Sequence, residues 1–195
     1  MSETFVFFGI VGSGKGTQVG LLMDFLKKRD GKECVYIGTG DLFREIAKSQ
    51  KTETEVLVKK LLDAGKLVSD EITNELVSNQ IGLRMVSEKH VVFDGYPRTV
   101  VQSKFFEQKM QSSKRENIKI IYIEVGKDEA MKRNLLRGRH DDTPEGLSKR
   151  FDEYVNNVIP AMNYFKDKGN YKICTINGEQ TVENVHKEII KVLGY

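Results

Sequence analysis

The stretch GIVGSGKGT, residues 9–17, decides how the rest of the chain is read. An apolar run, residues 5–8, precedes it, and Val19, Leu22, Met23 and Leu26 follow at helical spacing. A glycine-rich turn from a buried strand into a helix is an anion site. Its glycines let successive backbone N–H groups converge on a phosphate, and the helix N-terminus adds partial positive charge. Lys15 brings a full charge to the terminal phosphates, beside Gly12, Ser13, Gly14, Gly16 and Thr17. The strict phosphate-loop pattern ends in Gly-Lys-Ser/Thr; here Gly16 follows Lys15 and Thr17 comes one residue late. An ordinary glycine-rich turn is the bland alternative, and the order strand, loop, lysine, helix argues against it.

The chain has 195 residues, enough for one domain with a substantial core. Net charge is only +3, and no long basic run appears, which argues against a nucleic-acid partner. Cys34 and Cys174 sit in apolar runs and read as two buried free thiols in a reducing compartment. Two cysteines cannot make an all-cysteine zinc site. The N-terminal stretch carries Glu3 and no basic segment, so it does not read as a signal peptide. No stretch is long enough to span a membrane.

Five apolar runs read as strands: 5–8, 34–37, 91–93, 118–125 and 171–176. Helical patterns separate them, which predicts a parallel sheet covered on both faces, a three-layer α/β/α fold. Asp41 is placed to cap a helix carrying Leu42, Phe43 and Ile46. A second helix is predicted from Glu53 to Ala64, ending at Gly65, and Ser69 caps a third. Three helices stand where one crossover would suffice, so residues 38–68 look like a small insert at the ligand-binding edge of the sheet. Thr143 and Pro144 start a long helix predicted to run to about Lys168 and stop at Gly169. Thr181 caps a last helix whose apolar face reads as Val182, Val185, Ile189 and Val192.

Asp94 ends the third strand, in Asp94-Gly95-Tyr96-Pro97-Arg98. A strand-tip carboxylate beside a phosphate loop suits Mg²⁺ held through water. Six arginines fall in or beside the motif-bearing turns and helices: Arg44, Arg98, Arg133, Arg137, Arg139 and Arg150. Each alone could be a solvated surface cation, but the predicted fold brings most of them to the loop. Bringing two polyphosphates together costs about 4 kcal/mol for each unit-charge pair ~4 Å apart at an effective dielectric of ~20. Guanidinium groups match phosphate oxygens two at a time and stay charged.

With the loop, the segments TGDLFRE, GKLVSDE, DGYPRTVVQ and RGRHDD, followed by Lys149-Arg150, resemble the successive signatures of the adenylate kinases, nucleoside monophosphate kinases of the P-loop fold. The resemblance spans residues 9–150. It implies reversible phosphoryl transfer from MgATP to AMP, in a cytoplasmic monomer that serves adenine nucleotide balance. On the ATP side it implies the backbone of residues 12–17, Lys15, Arg133, Arg137 and Gln180. On the AMP side it implies Thr39, Arg44, Lys66, Leu67, Val68, Gly95, Tyr96, Pro97, Arg98 and Gln102. Arg139 and Arg150 would bridge the transferring group, and Asp94 would position Mg²⁺. Lys15, Asp94 and the arginines other than Arg44 are the implied catalytic set.

Three departures stand out. Val11 replaces a usual proline, which should loosen the turn slightly. Only Gly138 separates Arg137 from Arg139, so residues 137–142 look like a short lid without zinc. Gln180 stands where a glycine is expected. Asp141 and Asp142 read either as groups that orient the arginines or as a solvated turn; His140 reads as solvated. The rivals are a UMP/CMP kinase, against which Thr39 and Gln102 argue, and a nucleotide sensor without turnover, for which the full cationic set is superfluous.

Overall fold

The structure is a computed structural model, and it describes residues 2–49, 51–64, 66–85, 88–138 and 142–195. Five parallel strands form one sheet in the order β2-β3-β1-β4-β5. They are β1 (Thr4–Phe8), β2 (Cys34–Gly38), β3 (His90–Asp94), β4 (Ile118–Glu124) and β5 (Tyr171–Asn177). The helices are α1 (Lys15–Asp30), α2 (Thr39–Ser49), α3 (Glu53–Asp63), α4 (Asp70–Arg84), α5 (Val100–Ser112), α6 (Lys127–Arg137), α7 (Pro144–Glu153), α8 (Ile159–Asn163) and α9 (Val182–Leu193).

Every residue of β1 is buried, as a strand covered on both faces requires. Its side chains alternate. Phe5 and Phe7 enter one core with Leu22 and Leu26 of α1, Leu147 and Phe151 of α7, and Val185 and Ile189 of α9. Val6 and Phe8 enter the other, with Val77 of α4, Phe106 of α5 and Met162 of α8. Three layers follow from that alternation. Helices α2 and α3 pack on each other, and Phe43 and Val58 make a third small core with Val68.

Parallel register places the site. Gly38 lies across from Asp94, Asp94 across from Phe7, and Phe8 across from Tyr122. The start of α2, the end of β3 and the start of the phosphate loop therefore sit side by side at one edge. Because β1 is central and its neighbours lead in opposite directions, this edge is also the crevice of a doubly wound sheet.

Several expectations need correction. Helix α2 starts at Thr39, so Asp41 lies in its first turn; Tyr36 and Arg44 occupy its carboxylate, at 2.9 and 2.5 Å. Helix α3 ends at Asp63 with Ala64 as its C-cap, and Gly65 lies outside the described residues. Cys34 is only half-buried, although Cys174 is buried. On α9, Val185, Ile189 and Leu193 face the core, while Val182 is 46% exposed. The helix begun at Pro144 is interrupted by a π-helical turn, Tyr154–Val158, and its regular part ends at Asn163, where a turn rather than Gly169 follows. Pro160 explains the break: it has no N–H to give the carbonyl four residues back, and its ring crowds that carbonyl. The N–H of Ile159 bonds instead to Tyr154 O, five residues back. The interruption carries the chain from the α7 core to the α8 core across the site edge.

At the opposite edge a charged knot joins Glu3 to Lys119, to Tyr195 at 2.5 Å and to Arg29 at 2.7 Å. Burial alone would raise the Glu3 pKa, but these three donors hold it at about 2. The folded value lies below the ordinary 4.5, so this carboxylate stabilises the fold at pH above 4.5, and the contribution fades as pH falls toward 2. Denaturant titrations across that window should show wild-type stability falling more steeply than that of Glu3→Gln.

Candidate active site

The phosphate loop leaves β1 with Gly12 and Gly14 both at φ +87° and enters α1 with Gly14 as the N-cap. Positive φ favours glycine at both places, and it turns amides of the loop toward a common centre. Lys15 folds back over the loop. Its Nζ donates to Gly9 O at 2.7 Å, Ile10 O at 2.9 Å and Ser13 Oγ at 3.4 Å. Burial, reinforced by Arg98 and Arg137, pulls its pKa down to about 8, against the pull of Asp94.

One cleft of about 760 Å³ opens at this edge. The loop, Asp94, Gly95, Pro97 and Arg98 line it, together with Arg44, Lys66 and Leu67 from residues 38–68 and with Arg133, Arg137 and Arg150. Five of the six singled-out arginines are thus brought to the same space. Arg139, with His140 and Asp141, lies outside the described residues.

The arginines are held by specific partners. Arg137 makes a forked pair with Asp142, at 3.0 Å from Nε and 2.8 Å from a terminal nitrogen. Arg150 reaches the same carboxylate at 3.3 Å. The Asp142 side chain is fully buried, so this residue orients two guanidinium groups and is no solvated turn. Arg133 bonds to Glu129 at 2.7 Å and to Gly178 O at 2.9 Å, which ties α6 to the loop before α9. Arg98 donates to Gly95 O at 2.7 Å. Its pKa is lowered, first by burial and then by Arg44 and Arg150, while Asp94 opposes the shift.

Other residues singled out in the sequence stand behind the wall. Thr39 is buried and donates to Gly95 O at 2.6 Å. The Tyr96 hydroxyl, also buried, donates to Asn74 at 2.7 Å. The buried Gln102 amide accepts from Arg98 N at 2.7 Å and donates to Asp70 at 2.9 Å. Val68 belongs to the small core of α2 and α3. The Gln180 amide donates to Glu188 at 2.6 Å and to Asn177 O at 3.0 Å.

Sequence reading missed four participants. Tyr36 bridges Asp41 at 2.9 Å and Asp94 at 3.5 Å. Burial, then Asp94 and Asp41, push its pKa up, so it stays a donor. Glu153 and Tyr154 line the cleft from the π-helical turn, which only Pro160 hinted at. Asn134, fully buried on α6, bonds to the phosphate loop itself. Its signal was its place within the run of arginines.

For Mg²⁺, Asp94 is the group to test. It ends β3 in the same cleft as Lys15. Mg²⁺ keeps several waters and takes one or two carboxylates along with substrate phosphates. A single strand-end carboxylate fits that habit. Among the described residues no three His, Cys, Asp or Glu side chains gather into a cage.

A cationic cleft shared by an amide-lined loop and a second cation cluster across from it belongs to P-loop phosphotransferases that act between two phosphorylated substrates. Comparison with known proteins gives the family. The family described as "Adenylate kinase" matches residues 7–170. The chain is 32% identical to Adenylate kinase 1 of Nostoc sp. over 189 residues, 97% of each chain. It is 34% identical to an adenylate kinase of Oenococcus oeni over 195 residues, covering 100% of this chain and 99% of that one. With an adenylate kinase of Brucella abortus the identity is 35% over 198 residues, 96% of this chain and 97% of the relative. The chain belongs to the adenylate kinase family.

Bound phosphate favours the charged form of Lys15 and so raises its pKa above about 8. Nucleotide binding at pH 8 and above should therefore take up a proton, and binding near pH 6 should take up none at this lysine. Calorimetry in buffers of different ionisation enthalpy checks this, with Lys15→Met removing the uptake.

Proposed function

We propose that this chain transfers the terminal phosphoryl group of ATP to AMP, reversibly and with Mg²⁺, giving two ADP. The observation that carries this reading is that the phosphate loop and the pair Arg44 and Arg98 line one cleft. Residues 12–17, with Lys15, Arg133 and Arg137, take the ATP phosphates, and Gln180 stands near the ATP base. Arg44 and Arg98 take the AMP phosphate. Thr39, Lys66, Leu67, Val68, Gly95, Tyr96, Pro97 and Gln102 shape the AMP side, several of them from behind the wall. Arg150 is assigned to the transferring group from its place in the cleft, and Arg139 from the resemblance alone.

The attacking atom is an AMP phosphate oxygen, already an anion at neutral pH, so no general base is required. The work of the protein is alignment, charge neutralisation and exclusion of water. Asp94 would hold Mg²⁺ through water, and that ion supplies neutralisation of the phosphate oxygens when bound. Asp142 keeps Arg137 and Arg150 aimed, which spares their reorganisation at the moment of transfer. Lys15 exchanges two backbone carbonyls for phosphate oxygens when ATP arrives.

An open site would hydrolyse ATP. The insert at residues 38–68 and the short lid at residues 137–142 close over the substrates; adenylate kinase lids are an established case of such closure. A monomer in the cytoplasm suits this activity. No helix among the described residues is long and apolar enough to cross a membrane.

A coupled ADP assay with ATP against AMP, CMP, UMP and GMP tests the reading. AMP should lead by roughly 10²-fold or more in kcat/KM, and omission of Mg²⁺ should abolish turnover. A lead by CMP or UMP would give the site to a pyrimidine kinase. Lys15→Met should lower kcat by roughly 10² or more, the scale of a lost transition-state charge partner; a near-normal rate would reject its role.

A further inference from the structure

Asn134 is an unusual residue for its place. It lies inside α6, wholly buried, where asparagine is a weak helix former and an apolar side chain would pack at lower desolvation cost. Its Nδ2 donates to Val11 O at 2.9 Å and to Ala130 O at 2.7 Å. Its Oδ1 is buried with no hydrogen-bond partner, so the amide serves as a donor only. The opposite orientation would set that oxygen against two carbonyls. Gly12, the next loop residue, lies against the same side chain: a Cβ there would strike Asn134 Nδ2 and come within 2.8 Å of Ala130 O. The loop is therefore seated on α6 at two adjacent residues, by a bond at Val11 and by the missing side chain at Gly12.

Val11 itself does little to fix the turn. Valine leaves the backbone torsions of a loop freer than a ring would. The restraint comes from outside, from the helix that also carries Arg133 and Arg137.

We propose that Asn134 is a positioning residue for the phosphate loop, clamping the Val11 carbonyl so that the loop and the α6 arginines hold one fixed geometry around the ATP phosphates. The inference rests on the assignment of ATP to residues 12–17. Asn134 does not touch the nucleotide. It acts on the donor side of the cleft and leaves the Arg44 and Arg98 side alone.

The test uses the whole chain with Asn134→Leu, which fills the space, and Asn134→Asp, which keeps the shape and replaces the donor. Calorimetry gives Kd for ATP, steady-state kinetics give KM for ATP and AMP, and thermal melts report folding. Kd and KM for ATP should rise about three- to tenfold, the worth of one hydrogen bond. KM for AMP should stay within about twofold. Val11→Pro, which fixes φ at the clamped residue, should recover most of the loss when added to Asn134→Leu.

Unchanged ATP affinity in both folded variants overturns the proposal, as does an equal rise for ATP and AMP together with a lower Tm. Failure of Val11→Pro to restore affinity rejects the loop as the seat of the effect. If Asn134→Leu does not fold, Asn134→Asp decides; if neither folds, the amide is a folding element and the proposal falls. A wild-type chain that binds ATP but makes no ADP refutes the functional reading alone, because the Kd comparison still reports on the clamp.

Discussion

Parallel strand register is the constraint from which the site follows. Gly38, Asp94 and Phe7 stand in line across three strands, and each is followed within two residues by a functional segment. A slip of one residue in any strand would turn its buried side chains to the wrong layer. It would also move Asp94 away from the loop that Lys15 occupies. The two core-facing pairs of β1, Phe5 with Phe7 on one face and Val6 with Phe8 on the other, make such a slip costly. The hydrophobic layers and the catalytic edge are thus fixed by the same pairing.

Electrostatics then shapes what the register assembles. Five guanidinium groups share one cleft, and each needs a counter-charge or an acceptor to stay in place without substrate. Asp142 serves Arg137 and Arg150, Asp41 serves Arg44, and Glu129 serves Arg133. These carboxylates do not all act alike. Asp142 is buried and forked to its partner, so it sets direction. Asp41 is about half exposed and shares its oxygens with Tyr36, so its hold on Arg44 is loose and easily exchanged for a phosphate. The two sides of the cleft thus differ in stiffness, and the difference lies in burial.

Much of this was legible in the sequence, and the reasons are local. A buried strand is a run of apolar residues, and residues 5–8 and 118–125 announce themselves. A glycine-rich loop with a lysine at its end carries its chemistry in its spelling. Ser69, Thr143 and Thr181 cap where such residues should, each accepting from the backbone three residues on. What was hidden depends on contacts across the fold. Tyr36 looks like any strand aromatic until Asp94 is brought beside it. Asn134 reads as one polar residue among arginines, because its partner lies 123 positions away. Gln102 is expected on the AMP side from the resemblance, but its position alone does not show that its amide spans Arg98 and Asp70. Pro160 was visible throughout; the pattern of apolar residues on both sides of it masked the break.

The posture of Lys15 has a bearing on how the catalyst lets go. Its ammonium group already rests on the carbonyls of Gly9 and Ile10, so gripping a nucleotide is a swap of partners with little net profit. With Lys15 as the proposed ligand of the ATP phosphates, retention of either product would be correspondingly moderate. In a reaction that runs both ways through one chamber, a tenacious hold would trap whichever nucleotide arrived first, and a lysine with a resting berth on its own backbone keeps both directions open.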